Sequence, residues 1–142
     1  MSFTAEEVEY LKSQRLTRLA TVAPDGQPDV VPVGFDYDGT YFYIGGMDPV
    51  RTRKFRNVEA GQAKVALVID DLVSTDPWTP RYLRVYGTAE LIERQGQFGT
   101  APYMRITPTT SWSFNLDGQS FSHDREIVIQ RTEHTPPTSQ GD

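Results

Sequence analysis

Four cationic side chains lie close together near the middle of the chain. They fall in the segment GGMDPVRTRKFRNVEAG, residues 45–61, and are Arg51, Arg53, Lys54 and Arg56. The chain has 142 residues, only 14 lysines and arginines, and a net charge of -5. Because neighbouring cations repel one another, this cluster indicates an anionic ligand, and a phosphate group is the simplest one.

The residues around the cations predict a helix over residues 49–60. Asp48 is a suitable N-cap, Pro49 suits the first helical position, and Gly61 suits the exit. Cations in the first turns of a helix oppose its dipole by about 0.3–1 kcal/mol each. A bound phosphate would relieve this conflict, since backbone N–H groups and side-chain charges would both bind it.

The geometry of such a helix favours certain side chains as phosphate ligands. Thr52 adds a hydroxyl donor, and we predict that Lys54 binds the phosphate together with Arg51 or Arg53. Gly45 would let a ligand approach the backbone closely. The alternative is that the cations are solvated and paired with nearby carboxylates, namely those of Asp48, Glu59 and Asp70.

The composition excludes several other classes of function. The chain has no cysteine and only two histidines, so we expect neither thiolate chemistry nor a metal site. Its acidic balance argues against nucleic acid as a partner. No apolar run is long enough to span a membrane, and the N-terminus lacks the features of a signal peptide. We therefore predict a cytoplasmic protein of one domain.

Seven segments have the alternation or β-branched content of strands. FTAEEVEYL, residues 3–11, opens a helix, with Thr4 as N-cap and Glu7 three residues later as in a capping box, and residues 49–60 predict a second short helix. The predicted strands are 17–23, 29–37, 40–46, 63–70, 81–93, 103–116 (broken near Pro108) and 125–130. Residues 71–80 predict a loop. This pattern favours an antiparallel barrel over residues 1–130, followed by a disordered tail over residues 131–142.

Single residues sharpen the prediction of the barrel. Pro32 denies its strand one hydrogen bond, which places it at an edge or a bulge. Gly87 in mid-strand predicts a bulge or a close approach of another backbone. Phe55 and Val58 should dock the basic helix on the barrel. Trp112 and Phe114 share one side of a strand, where they form either core or an aromatic wall for a flat substrate.

The order of these elements resembles the pyridoxamine 5'-phosphate oxidase superfamily of flavin- and deazaflavin-binding split β-barrels. The resemblance covers residues 4–116, and TRK at 52–54 matches the phosphate-binding Ser/Thr-Arg-Lys of that family. DPWTPR at 76–81 is more specific. It is similar to the branch that uses coenzyme F420, in particular to the subgroup that contains the dehydrotetracycline reductases.

The resemblance implies a sheet-dominated split barrel with two short helices, which forms a homodimer with its cofactor sites at the interface. It implies that Thr52, Arg53 and Lys54 hold the cofactor phosphate. It further implies that the ring is lined by the backbone of Pro32, Val33, Ile44 and Gly45. Residues 74–78 would approach the cofactor from this subunit or its partner, led by Trp78. Tyr82 stands where flavin-binding members place a polar ring contact.

The activity implied by the resemblance is the transfer of a hydride from C5 of reduced F420 to an electron-poor carbon–carbon double bond. The substrate would be a small organic molecule, in this subgroup polycyclic and tetracycline-like, which points to antibiotic biosynthesis. A proton would follow from solvent or from Tyr82, Tyr86 or His123, and no indispensable catalytic side chain is expected.

Two alternatives remain open in the sequence. The first is an FMN-binding protein of the same fold, such as an oxidase, and SHDR at 122–125 faintly echoes the substrate-phosphate motif of that enzyme without its first arginine. The second is a non-enzymatic module that binds an anion or a flavin. Because F420 carries an anionic tail that FMN lacks, the further cations Arg51 and Arg56, with Arg15 or Arg18, favour F420.

Overall fold

The computed structural model describes residues 1–46, 48–96, 99–122 and 125–137. Its first helix, α1 (Ala5–Ser13), begins with a complete capping box. The Thr4 hydroxyl accepts a hydrogen bond from the Glu7 N–H, and the Glu7 carboxylate accepts one from the Thr4 N–H, at 3.1 and 2.9 Å. Two of the otherwise unpaired groups at the helix start are thereby satisfied, and α1 lies where the sequence predicts it.

Eight strands and a second short helix make up the rest of the described fold. The second helix, α2 (Arg53–Glu59), follows a single turn of 3₁₀ helix (Pro49–Arg51). The strands are β1 (Leu16–Val22), β2 (Pro28–Gly34), β3 (Asp36–Tyr37), β4 (Phe42–Ile44), β5 (Lys64–Thr75), β6 (Trp78–Gly96), β7 (Gly99–Phe114) and β8 (Gln130–Glu133).

All strand pairs are antiparallel and belong to one sheet. The strand order is β2-β1-β5-β6-β7-β4-β3, and β8 pairs with β7 beside this path. Strands β2 and β3 stand at opposite ends of the order, yet only Phe35 separates them in sequence. The sheet must therefore curl until its edges approach each other.

The predicted sheet-dominated, antiparallel fold with two short α-helices is confirmed. The barrel is not closed by hydrogen bonding, because the described pairings leave β2 and β3 as the two ends of the path. An opening thus runs along β2, an edge strand whose outer backbone groups are available to a ligand. The prediction that Pro32 lies on an edge is confirmed.

Alternating residues of the long strands fill the inside of the curled sheet. The inward side chains of β5 and β6 include Leu67, Ile69, Leu83 and Val85, all at most 1 % exposed. Helix α2 closes one end of this core with Phe55 and Val58, as predicted. Burying such side chains stabilises the fold by about 1.5–3 kcal/mol each.

The break predicted near Pro108 is a shift of register within one continuous strand. β6 and β7 pair from Tyr82 to Gly96, with an irregularity between Tyr86 and Gly87. A side chain at Gly87 would bring its Cβ to 2.7 Å from Ile106 and 2.8 Å from the Thr107 carbonyl. The predicted close approach at Gly87 is confirmed.

The region predicted as a loop at residues 71–80 is instead a tight hairpin between β5 and β6. The pairing continues to Thr75 opposite Trp78. The sequence of this region predicts a loop because it is rich in proline and aspartate, which are depleted in strands. They are tolerated here because their outward faces are partly solvent-exposed.

The end of the described chain also differs from its prediction. The last strand is Gln130–Glu133 rather than residues 125–130, and the buried Thr132 lies opposite Ser111 of β7. The His134 N–H then donates to the Thr109 carbonyl at 2.9 Å. Beyond its pairing with β4, the edge of β7 has free backbone hydrogen-bonding groups, and β8 pairs with them. The predicted disorder therefore does not hold for residues 131–137, and residues 138–142 lie outside the described residues.

Candidate cofactor site

The basic segment is divided in two where the sequence predicts one helix. After the 3₁₀ turn, Thr52 is extended, with φ -79° and ψ 151°, and α2 begins at Arg53. Thr52 therefore takes the N-cap position that the sequence assigns to Asp48. Its hydroxyl donates to the Pro49 carbonyl at 2.6 Å and makes no capping bond to α2.

The four cations of this segment have different surroundings. Arg51 pairs with Asp48 at 3.2 Å, but its side chain is 80 % exposed. Arg53 and Arg56 are exposed, whereas Lys54 is half-buried. Burial lowers the pKa of the Lys54 ammonium, and the attraction of the Asp29 carboxylate only partly opposes this effect.

Solvated ion pairs therefore account for only part of the cluster. Within the described residues, Lys54 has no carboxylate within ion-pair distance, and Asp70 pairs with Arg18 at 3.1 Å instead. A half-buried ammonium without an ion-pair partner is costly unless an anion comes to it. Lys54 is thus the cation of this segment that most needs an external anion.

Contacts of α2 fix the position of Lys54 beside the edge strand. The Asn57 amide donates to the Thr21 hydroxyl at 2.9 Å, and both residues are buried. Thr21 pairs with Asp29 of β2, the residue whose charge acts on Lys54. The cations therefore lie at one end of the opening along β2.

The residues predicted to line the cofactor ring differ in exposure. Pro32 faces outwards opposite Arg18, while Val33 is half-buried and packs against the core. Ile44 is 0 % exposed, so only its backbone could meet a ligand. That backbone groups of these residues line the cofactor ring stays a prediction.

Gly45 has a neighbour that the sequence does not reveal. A Cβ atom at Gly45 would lie 2.5 Å from the ring of Tyr103 on β7. The missing side chain therefore accommodates Tyr103, and close approach of a ligand is not the reason for glycine on that side. The register of β7 against β4 brings Tyr103 here, because Ile44 pairs with Met104.

Trp78 and Tyr82 form a second group, away from the cations. Trp78 is 59 % exposed, and Tyr82 stacks on Phe114 with a centroid distance of 5.2 Å and an interplanar angle of 14°. A cavity of about 460 Å³ lies beside them. It is lined in part by Arg18, Asp70, Leu72, Trp78, Arg81 and Tyr82.

An ion pair and a tyrosine fix the base of this hairpin to α1. Arg81 donates two hydrogen bonds to Asp71, at 2.8 and 3.2 Å, and the Tyr10 hydroxyl donates a third at 2.7 Å. Burial alone would raise the pKa of the Asp71 carboxyl, but these hydrogen bonds outweigh it and lower that pKa. Burial, aided by Asp71, raises the pKa of Tyr10.

The two groups are far apart within one chain. Thr21, beside α2, lies three residues from Arg18 on β1. Arg18 pairs with Val68 of β5, and Thr75, which pairs with Trp78, lies seven residues further along β5. At the spacing of residues in a strand, the path along the strands from the level of the cations to Trp78 is roughly 30 Å long. One chain therefore does not bring all the predicted site residues together.

Trp112 and Phe114 lie on the outer face of the sheet, half-buried, and not in the core. The Arg84 guanidinium lies 4.0 Å from the centroid of the Trp112 ring, and the Tyr86 ring meets Trp112 edge-on at 4.8 Å. His123, a candidate proton donor, lies outside the described residues.

The described residues also bear on a metal site and on a membrane span. Neither histidine nor carboxylate groups gather there in the threes that a metal ion would need. None of the helices has the length and the apolar content to cross a membrane.

Comparison with known proteins decides the family. The family model of pyridoxamine 5'-phosphate oxidase matches residues 3–129. The chain belongs to the pyridoxamine 5'-phosphate oxidase family. It is also 38 % identical, over 140 residues, to a 5a,11a-dehydrotetracycline/5a,11a-dehydrooxytetracycline reductase of Streptomyces rimosus, covering 92 % of this chain and 96 % of that protein.

Two solved structures have a similar fold. An F420 reductase is 25 % identical, with a TM-score of 0.55 over 69 % of this chain and 89 % of that one. An FAD-binding protein from Mesorhizobium loti is 20 % identical, with a TM-score of 0.59 over 78 % and 92 % of the two chains. The second likeness concerns the fold alone.

Proposed function

We propose that this protein is an F420-dependent reductase that transfers a hydride to an electron-poor carbon–carbon double bond of a small, polycyclic substrate. Two similarities support the proposal: 38 % identity to a dehydrotetracycline reductase along nearly the whole chain, and a fold shared with an F420 reductase. The observation that carries it is Lys54, a half-buried cation without an ion-pair partner among the described residues.

The residues of the basic segment fit a cofactor phosphate. Lys54 would supply the charge, Arg53 and Arg51 would add hydrogen bonds, and Thr52 lies between them. The opening along β2 would receive the ring, and the backbone of Pro32 and Val33 would line it. A flavin ring carries both donors and acceptors, which an unpaired strand edge can match.

The distance between the two groups of site residues supports a homodimer. Trp78 is too far from Lys54 for one cofactor to meet both within one chain, so we assign the partner's Trp78 to the site of each subunit. The outer face of the sheet is suited to such pairing, because Val30 is 63 % and Tyr86 47 % exposed there. These two side chains lie on one row of the sheet, because Val30 pairs with Ala20, Ala20 with Ala66, and Ala66 with Tyr86, and a contiguous exposed apolar row suits an interface.

Bound F420 would supply the reaction with a hydride at C5 of its reduced ring. The task of the protein is then to hold the acceptor carbon close to that position and to exclude water. The electrons of the double bond move onto the conjugated carbonyl oxygen, and the resulting enolate takes a proton at carbon. Tyr82 and Tyr86 lie on the outer face, where they would donate that proton or orient a water.

FMN is the alternative cofactor, because the resemblance of the sequence to flavin-binding split barrels allows it as well. The two cofactors differ most in charge, because F420 continues beyond its phosphate into an anionic tail. Arg53 and Arg56 are exposed and would reach such a tail, whereas Arg18 is paired with Asp70. Of the further cations that the sequence offers for the tail, Arg56 supports F420 best, because it lies in the same short helix as Lys54.

Fluorescence titration with F420 and with FMN, in separate experiments, tests this proposal. We expect saturable binding of F420 and weaker binding of FMN. Tight binding of FMN with no binding of F420 would reject the proposal in favour of a flavoprotein. Binding of F420 without turnover of any conjugated enone would favour a module that only carries the cofactor.

A further inference from the structure

Asp29 places a half-buried carboxylate on the edge strand β2, close to the basic segment. It pairs with Thr21 of β1, and the side chains of directly paired residues lie on the same face of a sheet. Thr21 is 1 % exposed and contacts α2 on the inner face. The Asp29 side chain therefore lies on the inner face too, where it borders the opening along β2.

Helix α2 brings Lys54 to the same place. The Asn57 amide donates to the Thr21 hydroxyl at 2.9 Å, and residues three apart on a helix lie on one side of it. Lys54 and Asp29 therefore flank this contact, one on the helix and one on the strand. The charge of Asp29 acts on the Lys54 ammonium, although no ion pair joins the two.

The Asp29 carboxylate has no partner within the part of the chain that the structure describes. No N–H or O–H group there donates to it, and no cation there forms an ion pair with it. Leaving a half-buried carboxylate without a donor is costly. Two opposite charges thus border one opening, and a ligand that satisfies both must carry an anion with hydrogen-bond donors next to it.

A phosphate group alone does not meet this requirement. The Asp29 carboxylate would repel it, and a fully ionised phosphate has no donor to offer. Hydroxyl groups are suitable donors, because their hydrogen bonds to a carboxylate are short and strong. A polyol phosphate, which is a chain of hydroxyl-bearing carbons that ends in a phosphate, carries both kinds of group side by side.

The order of side chains along β2 fits such a ligand. Val31 and Val33 follow Asp29 on the inner face, because they pair with the buried Leu19 and Thr17. At the spacing of a strand, Val33 lies roughly 13 Å beyond Asp29, and it packs against the core. A ligand in the opening would meet a cation first, then an acceptor for hydroxyl groups, then an apolar surface.

We infer that Asp29 recognises the hydroxyl-bearing chain of the cofactor, between the phosphate at Lys54 and the ring, by accepting hydrogen bonds from its hydroxyl groups. Asp29 is then a specificity-determining residue that selects polyol phosphates over simple phosphates. This inference rests on the proposed function, which places the cofactor phosphate at the basic segment. It holds for F420 and for FMN alike, since both have a ribityl chain between phosphate and ring.

The experiment compares the binding of ribitol 5-phosphate and n-pentyl phosphate by calorimetry. The two probes have carbon chains of equal length, but only ribitol 5-phosphate has hydroxyl groups on its chain. We expect wild type to bind ribitol 5-phosphate at least about fivefold more tightly. Asp29→Leu, which is similar in shape and has no acceptor, should abolish this preference and bind n-pentyl phosphate no more weakly than wild type does. Asp29→Asn, which keeps one acceptor oxygen, should retain part of the preference.

Glu59→Leu is the matched control, because it removes an exposed carboxylate at the end of the helix that carries Lys54. It should leave the preference unchanged, and the thermal midpoint of each variant checks that it is folded. An equal loss of preference in Glu59→Leu and Asp29→Leu would mean that overall charge, not an acceptor at Asp29, sets the preference, and it would overturn the inference.

The remaining outcomes separate this inference from the proposed function. Wild-type protein that binds F420 but binds the two probes equally, or binds neither, overturns the inference and leaves the proposed function standing. Protein that prefers ribitol 5-phosphate, loses that preference in Asp29→Leu and binds no F420 supports the role of Asp29 and overturns the proposed function.

Discussion

The basic segment and the base of the β5–β6 hairpin both concentrate arginine or lysine, but they treat the charge differently. At the hairpin, Arg18 and Arg81 each have a carboxylate partner. In the basic segment, Arg51 has an exposed partner and the half-buried Lys54 has none among the described residues. The charges at the hairpin are paired within the protein, whereas the basic segment requires an anion from outside.

This difference indicates which ligand each region takes. A charge that the protein leaves unpaired binds an anionic group strongly, because the cost of burying that charge is already met in the folded protein. Paired charges offer directional hydrogen bonds and little net field. We therefore assign the cofactor phosphate to the basic segment, and we expect the hairpin to contribute uncharged contacts, such as that of Trp78, rather than a net charge.

Removing the unpaired charge should have the largest effect. We expect Lys54→Ala to weaken F420 binding by about 1.5–3 kcal/mol, as loss of a hydrogen bond to a charged group does, which is roughly ten- to hundredfold in Kd. Titration of F420 fluorescence measures this. Lys12→Ala, which removes an exposed lysine of α1, is the control. Equal affinities of the two variants would contradict the assignment of Lys54.

A dimer assembled from two different subunits tests whether the two regions meet across the interface. One subunit carries Lys54→Ala and the other Trp78→Ala, each with its own purification tag. If the site uses Lys54 of one subunit and Trp78 of the other, this mixed dimer has one intact site and one doubly damaged site. We expect about one tightly bound F420 per dimer.

The matched control for that experiment is a dimer of wild type with the double variant. Here each site loses one of the two residues if the site spans subunits, so no tight site should remain. The opposite pattern, with no tight site in the first dimer and one in the control, would show that Lys54 and Trp78 act within one chain.

Removing a charge from the paired region should lower the stability of the fold more than it lowers the affinity for the cofactor. Asp71→Asn removes the charge that Arg81 and Tyr10 hold, and we expect a loss of about 1–3 kcal/mol in the free energy of unfolding at pH 7. Urea denaturation measures it. Asp70→Asn, in an exposed pair, should cost less than about 1 kcal/mol. Equal losses would contradict the role of the Tyr10 bond.

The pH dependence of the Asp71 effect has a definite sign. The pKa of Asp71 is lowered in the folded protein, so its stabilisation is complete above the unfolded pKa of about 3.9. It is lost as the pH falls through the folded value. The difference in stability between wild type and Asp71→Asn should therefore be constant near neutral pH and shrink in acid below about pH 4.

The smallest effect concerns the exposed pair of the basic segment. We expect Arg51→Gln to change stability by less than about 0.5 kcal/mol, because its ion pair with Asp48 is surrounded by water. Its effect on F420 affinity should be well below that of Lys54→Ala. An effect as large as that of Lys54→Ala would mean that burial does not distinguish the two cations.

Much of the fold follows from local patterns in the sequence. Alternation and glycine placement predict most strands, the capping box predicts α1, and Gly87 predicts the close approach within the β6–β7 pair. The break at Thr52 could not be predicted in this way. It depends on how Asn57 and Phe55 dock α2 on the core, which is a tertiary constraint.

The candidate site can likewise be predicted from the sequence only in part. The clustering of charge is visible in the sequence, and it led to Lys54. That Lys54 is half-buried beside Asp29, that Tyr103 covers Gly45, and that Phe121 meets Phe114 all depend on strand register and loop closure. No local pattern carries that information, because each contact joins residues far apart in sequence.

The phosphorus-31 NMR spectrum of F420 tests the central claim most directly, since that claim concerns one phosphoryl group and one ammonium group. The spectrum would be recorded for F420 free, with wild-type protein, and with Lys54→Ala at concentrations that saturate the variant. The account predicts a shifted phosphorus resonance with wild type that returns most of the way towards the free value in the variant. An identical bound shift in both proteins would contradict it.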